Sequence, residues 1–230
     1  MPTTAGKASG ARRRTLPVLA AALGAALVGG CSVDVRDPAA PQPAVSTPAL
    51  ATPTITPGHD ADAVAAQDLP FAAGGSLAPG VPVGISDGLK EAPGWKAVSQ
   101  DVAGESQYLK ADGCLVAAKE RTNQAALARG DDRESTIALF EYLDPSILPG
   151  YLKPETLRWG ADPEGPGRTV EVLALEQAAK PAGRATAVLA RLFATAGSSV
   201  YISVSCPDAA SLTAARADVV RFLPLLPPSG

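Results

Sequence analysis

The chain has 230 residues, 46% of them hydrophobic, with 20 basic and 23 acidic residues and a net charge of −3. Residues 1–30 hold four cations and no acid, so the remainder carries 16 basic and 23 acidic residues, a net −7. A chain of that balance has no basic footprint for nucleic acid, and its own charge repels it from anionic lipid.

The N-terminus divides into three parts. Lys7 and Arg12–Arg14 are basic, "LPVLAAALGAALV" (16–28) is apolar, and "GGC" (29–31) is small. This is the order of a secretion signal. A spanning helix needs about 20 apolar residues, and this run is shorter. The arginines read as plain positive charge, which favours Sec export. The junction "LVGGC" resembles the lipobox of bacterial lipoproteins. That resemblance implies that the Cys31 thiol receives a diacylglycerol and that cleavage leaves Cys31 as the first residue. Two or more acyl chains hold a protein on a bilayer stably, whereas one does so marginally. The competing reading is an ordinary signal peptide with an incidental cysteine.

Residues 32 to about 78 contain seven prolines, with Ala, Thr and Ser filling most of the rest. Such a composition is expected to stay disordered, because it buries too little surface to offset chain entropy. Its mean reach is about 35–40 Å, enough to hold a domain off the bilayer. The expected organisation is a signal peptide (1–30), a lipidated cysteine with linker (31–78), one domain (79–226) and a tail (227–230).

Within the domain, Trp95 and Val98 mark a strand after the Pro93-Gly94 turn. "SQYLKADGCLVAAKE" reads as a hairpin turning at Asp112-Gly113. Residues 121–134 read as a charged loop, and "STIALFEYL" (135–143) as a strand. Strands follow at "TLRWG" and "RTVEVLALEQ". "SSVYISVSC" alternates with period two and makes 185–195 its hairpin partner across Gly197. Leu212, Ala215, Val219, Phe222 and Leu223 form a helical stripe that Pro224 ends. The expected fold class is α+β, a mainly antiparallel sheet with a C-terminal helix packed on one face.

This order of elements resembles the PsbP-like fold, which includes the actinobacterial LpqN-type lipoproteins. The residues that carry the resemblance are "APGW" (92–95) and "SSVYISVSCPDAASLTAARADVVRFL" (198–223). It implies a non-catalytic accessory or binding module at a membrane surface, with no set of catalytic residues to carry over. The implied location is the extracytoplasmic face of the cell membrane, through the lipid, with an envelope protein, glycan or lipid as ligand.

His59, the single histidine, falls in the linker, which removes histidine-based triads and metal sites from the domain. No nucleophile-elbow, phosphate-loop or dinucleotide motif occurs at a usable position. No cofactor, metal or catalytic residue is therefore assigned. Asp131, Asp132 and Glu134 form the densest acidic cluster, read as a solvated loop; a carboxylate-dependent hydrolase using Asp131 or Glu155 is the competing class. Tyr151, Trp159 and Trp95 read as packing residues ahead of ligand platforms.

Three cysteines remain to be placed. With Cys31 acylated, Cys114 and Cys206 are left in an oxidising compartment, where a disulfide is expected. Two buried free thiols are the competing reading.

Overall fold

A computed structural model describes residues 60–160, 167–178 and 183–228. In chain order its elements are α1 (Ala61–Ala65), β1 (Gly84–Ile85), β2 (Trp95–Ser99), β3 (Glu105–Lys110), β4 (Leu115–Arg121) and α2 (Asp132–Leu143). They continue with β5 (Lys153–Arg158), β6 (Thr169–Gln177), β7 (Ala185–Phe193), β8 (Ser198–Cys206), α3 (Ala209–Phe222) and β9 (Leu225–Leu226). Seven strands form an antiparallel sheet in the order β2-β3-β4-β8-β7-β6-β5, while β1 pairs with β9. The protein is α+β, with its C-terminal helix packed on one face of that sheet.

Alternation along the strands sorts side chains between two cores. Val170, Val172 and Ala174 of β6 and Ala185, Ala187 and Leu189 of β7 face α3, joining Leu212, Ala215 and Val219. Leu173 and Leu175 of β6 and Ala190 and Leu192 of β7 face the opposite way, toward Leu139 and Phe140 of α2. Both helices start at capped ends. Asp208 Oδ1 accepts from the Ser211 N–H at α3, and Asp131 Oδ1 accepts from the Glu134 N–H at α2. Pro154 sits in β5, an edge strand, where a missing ladder donor is tolerated.

Residues 135–143 are helical, which corrects the strand expected there, and the helix begins within the expected loop at Asp132. Asp132, Ser135, Thr136, Leu139 and Phe140 are its buried face. That spacing is helical, but its first half is polar, so hydrophobic periodicity does not display it. Asp131 and Glu134 supply the start signal, a side-chain acceptor three residues ahead of an acid.

The expected linker also needs correction. Residues 1–59, including Cys31, His59 and most of that linker, lie outside the described residues, but residues 60–78 belong to the domain. Val64, Leu69, Phe71 and Leu77 are buried in it. The Trp159 indole N–H donates to the Val64 carbonyl at 3.1 Å. Leu69 enters the sheet itself. The β6–β7 ladder stops at Leu173 opposite Ala190, so the first residues of β6 leave β7. Into that opening comes Leu69, which bridges Val170 in parallel, donating to Thr169 O at 2.8 Å and accepting from the Glu171 N–H at 3.1 Å. Four apolar or aromatic side chains scattered among Ala, Gly and Asp were enough for docking once the sheet offered open backbone.

Cys114 and Cys206 form a disulfide. The β4–β8 register places Leu115 opposite Ser205, so the two cysteines face each other one step further on. Their Cα atoms are 4.2 Å apart, near the about 4.5 Å of a non-hydrogen-bonded antiparallel pair. Cys114 Sγ lies 3.6 Å from the Ser211 carbonyl oxygen, which brings the bridge against the first turn of α3.

Three outcomes follow for stability. Limited proteolysis of the full protein should leave a resistant fragment starting near residue 60. A fragment of residues 79–230 loses four buried side chains worth roughly 1.5–3 kcal/mol each, comparable with the about 5–15 kcal/mol of a whole domain. It should show no cooperative thermal transition by circular dichroism. Replacing Cys114 and Cys206 together with Ala should lower unfolding free energy by about 4–5 kcal/mol in denaturant titrations, from loop-closure entropy over the 92-residue separation.

Candidate functional site

Of the acids singled out from the sequence, Asp131, Asp132 and Glu155 are each engaged by other groups. Asp131 caps α2. Glu134 folds back over Gly130, whose position a Cβ would bring into collision with the Glu134 carboxylate. Glu155 is ion-paired with Arg216 of α3, and the same guanidinium pairs with Glu176.

Asp132 is no solvated loop residue. It is buried, and its carboxylate meets the fully buried Arg191. Asp132 Oδ2 accepts from Arg191 Nε at 3.0 Å and from Nη2 at 2.7 Å. Nη1 donates to Leu69 O at 2.6 Å and Glu171 O at 3.0 Å, and Nη2 also donates to Pro70 O at 3.0 Å. These bonds use all five N–H donors of a guanidinium. The Phe71 and Phe193 rings lie 4.9 and 4.8 Å from its carbon, giving the cation a π face on each. Burial pulls the Arg191 pKa down, and the Asp132 carboxylate opposes that shift. Asp132 Oδ1 accepts from the Ala194 N–H at 2.8 Å, and Gly74 must be glycine because a Cβ there would stand 2.2 Å from the Asp132 carboxylate. With no solvent access and no donor left over, this cluster is structural. The sequence hides it, since an arginine in "VLARLF" declares neither its burial nor its partner.

The open surface lies on the α2 face. Here α2 covers β6 and β7, and the remaining strands present a half-exposed row: Leu109, Leu115, Ser205, Thr186 and Gln177 follow one another across β3, β4, β8, β7 and β6. The next row runs Gln107, Ala117, Ser203, Val188 and Leu175. Ala117, Ser203 and Ser205 are small, so the sheet floor dips between the leucine pair and the wall of α2.

At that wall a cleft of about 190 Å³ opens, with Phe140, Leu143, Ile147, Leu175, Val188 and Tyr201 as its apolar lining. Asp144, Gln177 and Thr186 add polar groups. Tyr142, Leu143, Leu148 and Tyr151 stand exposed at the end of α2 and in the connection to β5. Partial burial raises the Tyr201 phenol pKa, keeping it a neutral donor. On the next row, Lys119 and Gln107 hydrogen-bond Glu105 and hold its carboxyl below the usual range.

The expected packing aromatics separate. Trp159 is core; Tyr151 is 58% exposed. Trp95 is buried, its indole N–H donating to Asp218 Oδ2 at 2.9 Å, with Lys110 Nζ 5.4 Å from the ring. Among the described residues no group of three or more His, Cys, Asp or Glu side chains is arranged to hold a metal ion, and no helix is long and apolar enough to cross a membrane. No protein family, no characterised protein and no solved structure matches the chain.

Removing the Asp132 carboxylate tests the assignment of that cluster. Asp132→Ala leaves a buried guanidinium without its counter-ion and should lower stability by about 3–5 kcal/mol. Arg129→Ala, whose side chain is exposed and paired with Glu141, should change it by less than about 1 kcal/mol. Chemical denaturation of the two variants measures the contrast.

Proposed function

We propose that this protein is a lipid-anchored, non-catalytic binding module of the cell envelope, of PsbP-like type, that seats a protein partner in the cleft beside α2. The observation that carries the reading is the distribution of surface chemistry. Apolar side chains gather around one cleft, while the acids a hydrolase would need are spent on a helix cap, on Arg191 and on Arg216. A contiguous apolar patch rimmed by polar groups is a mark of an interaction surface.

Size favours a protein over a small ligand. Small-molecule pockets run to about 300–1,000 Å³, and this cleft has about 190 Å³. It suits one anchoring side chain of a partner, the usual centre of a protein interface. Asp144, Gln177 and Thr186 then offer hydrogen bonds to the partner's polar groups. The "LVGGC" junction supports the same reading, since its resemblance to a lipobox is what a membrane anchor at Cys31 would require.

The test uses the full chain in its own envelope. A photo-crosslinking side chain at Leu143 should give one discrete protein adduct, and the same group at Val220 of α3 should not. Val188→Trp, which fills the cleft floor, should abolish the adduct while leaving the thermal midpoint within a few degrees. Equal labelling at both positions, or labelling that survives the filled cleft, would overturn the site. Cys31→Ser should move the protein from the membrane fraction to the soluble or unprocessed one; unchanged retention would overturn the anchor.

A further inference from the structure

A second cavity lies on the opposite face of the sheet, where β1 crosses β3 and β4. Its volume is about 220 Å³, and its polar lining is Ser86, Asp87, Asp101, Ser106, Tyr108 and Glu120. The reading of function leaves it unexplained.

Its floor is unusual. Tyr108 is fully buried, and its hydroxyl completes no hydrogen bond among the described residues, the Ser106 hydroxyl lying near it without the geometry of one. Buried polar atoms are nearly always paired, so an unpaired one marks a place where something else binds. Tyr108 lines the cavity, and the charges of Asp87 and Glu120, two of its other lining residues, act on the phenol.

The remaining polar groups are acceptors. Glu120 is half-buried and makes one hydrogen bond among the described residues, with Oε1 accepting from the Ile85 N–H. It has no ion pair there, and burial together with the Asp101 charge raises its pKa. The Ser106 hydroxyl accepts from the Asp101 N–H at 3.0 Å, and the Ser86 hydroxyl accepts from the Gly88 N–H at 3.2 Å. Asp87 is paired with Lys90. One wall is built to stay close: Gly104, at φ +71°, would bring a Cβ to 2.7 Å from the Glu120 carbonyl oxygen. A cavity whose carboxylates outnumber its paired cations, lined by hydroxyls that can each still accept, is complementary to a cationic donor. An ammonium has a full charge and three N–H donors, and a carboxylate facing it forms the stronger, charge-assisted kind of hydrogen bond.

We propose that this cavity binds a primary alkylammonium group, with Glu120 as its counter-ion and the Tyr108 hydroxyl as an acceptor at its floor. The group is either that of a free amine or the end of a lysine side chain. The site stands on the α3 face and does not depend on the cleft beside α2.

Calorimetric titration of the intact protein with 1,5-diaminopentane, with Nα-acetyl-lysine amide and with 1,5-pentanediol tests it. Both amines should bind and the diol should not. A free-amine site favours the diamine by more than tenfold, and a lysine site favours the lysine amide. Glu120→Gln should weaken the better amine at least tenfold. Tyr108→Phe should weaken it about threefold while keeping or raising the thermal midpoint, since it deletes only an unpaired hydroxyl; that variant keeps the test valid if Glu120→Gln folds poorly. No binding of either amine at 10-millimolar concentration (on the order of the weakest useful affinities), equal binding of the diol, or unchanged affinity in both variants would overturn the proposal.

Discussion

A cation in the middle of the fold sets the terms for everything around it. Removing an ion from water costs several kcal/mol even after relaxation, and Arg191 is removed completely. It is tolerated because one carboxylate and three backbone carbonyls take every donor it has, and two phenylalanine rings cover its faces. Those acceptors come from three places: α2, the segment before β1, and β6. None of the three can leave without stranding a charge. The arrangement therefore couples the N-terminal segment, the helix and the sheet into one cooperative unit.

The same interaction explains the position of the segment that enters the sheet. Where β6 and β7 part, Glu171 O has no ladder partner on β7, and Leu69 and Pro70 bring further carbonyls into the opening. Arg191 closes the gap by donating to all three. Thr136 adds a local tie, its hydroxyl accepting from the Leu192 N–H at 3.0 Å. With α2 thus fixed over β6 and β7, β3, β4 and the near edge of β8 stay open on that face. The trough and its cleft are consequences of where the helix had to sit. On the other face α3 and the Cys114–Cys206 bridge complete the core, and the short β1–β9 pair walls off the acidic cavity beside it. The two surfaces proposed for recognition thereby lie on opposite faces of a single sheet, one mainly apolar and the other acidic.

Several features were legible from residues alone because local physics determines them. Period-two alternation in 198–206 identified β8, and the Asp112-Gly113 and Gly197 turns placed its neighbours. The stripe from Leu212 to Val219 with Pro224 behind it gave α3. Counting cysteines, with export and acylation of Cys31 expected, paired Cys114 with Cys206. The fold class followed, since a sheet with one amphipathic terminal helix has few ways to bury both apolar faces. The tertiary structure alone decided the rest. Whether "STIALFEYL" is strand or helix turned on Asp132, Ser135 and Thr136, polar residues that can be buried because Arg191, the Arg129 backbone and the Leu192 amide pair with them in turn. Whether 60–78 is linker or domain turned on an opening between β6 and β7 that no local signal announces. The pairing of Asp132 with Arg191 across 59 positions depends on chain reversals that bring distant residues together. Sequence reports what each residue prefers among its neighbours. Only the packed chain sets which charges lose their water, and a buried charge then dictates its surroundings.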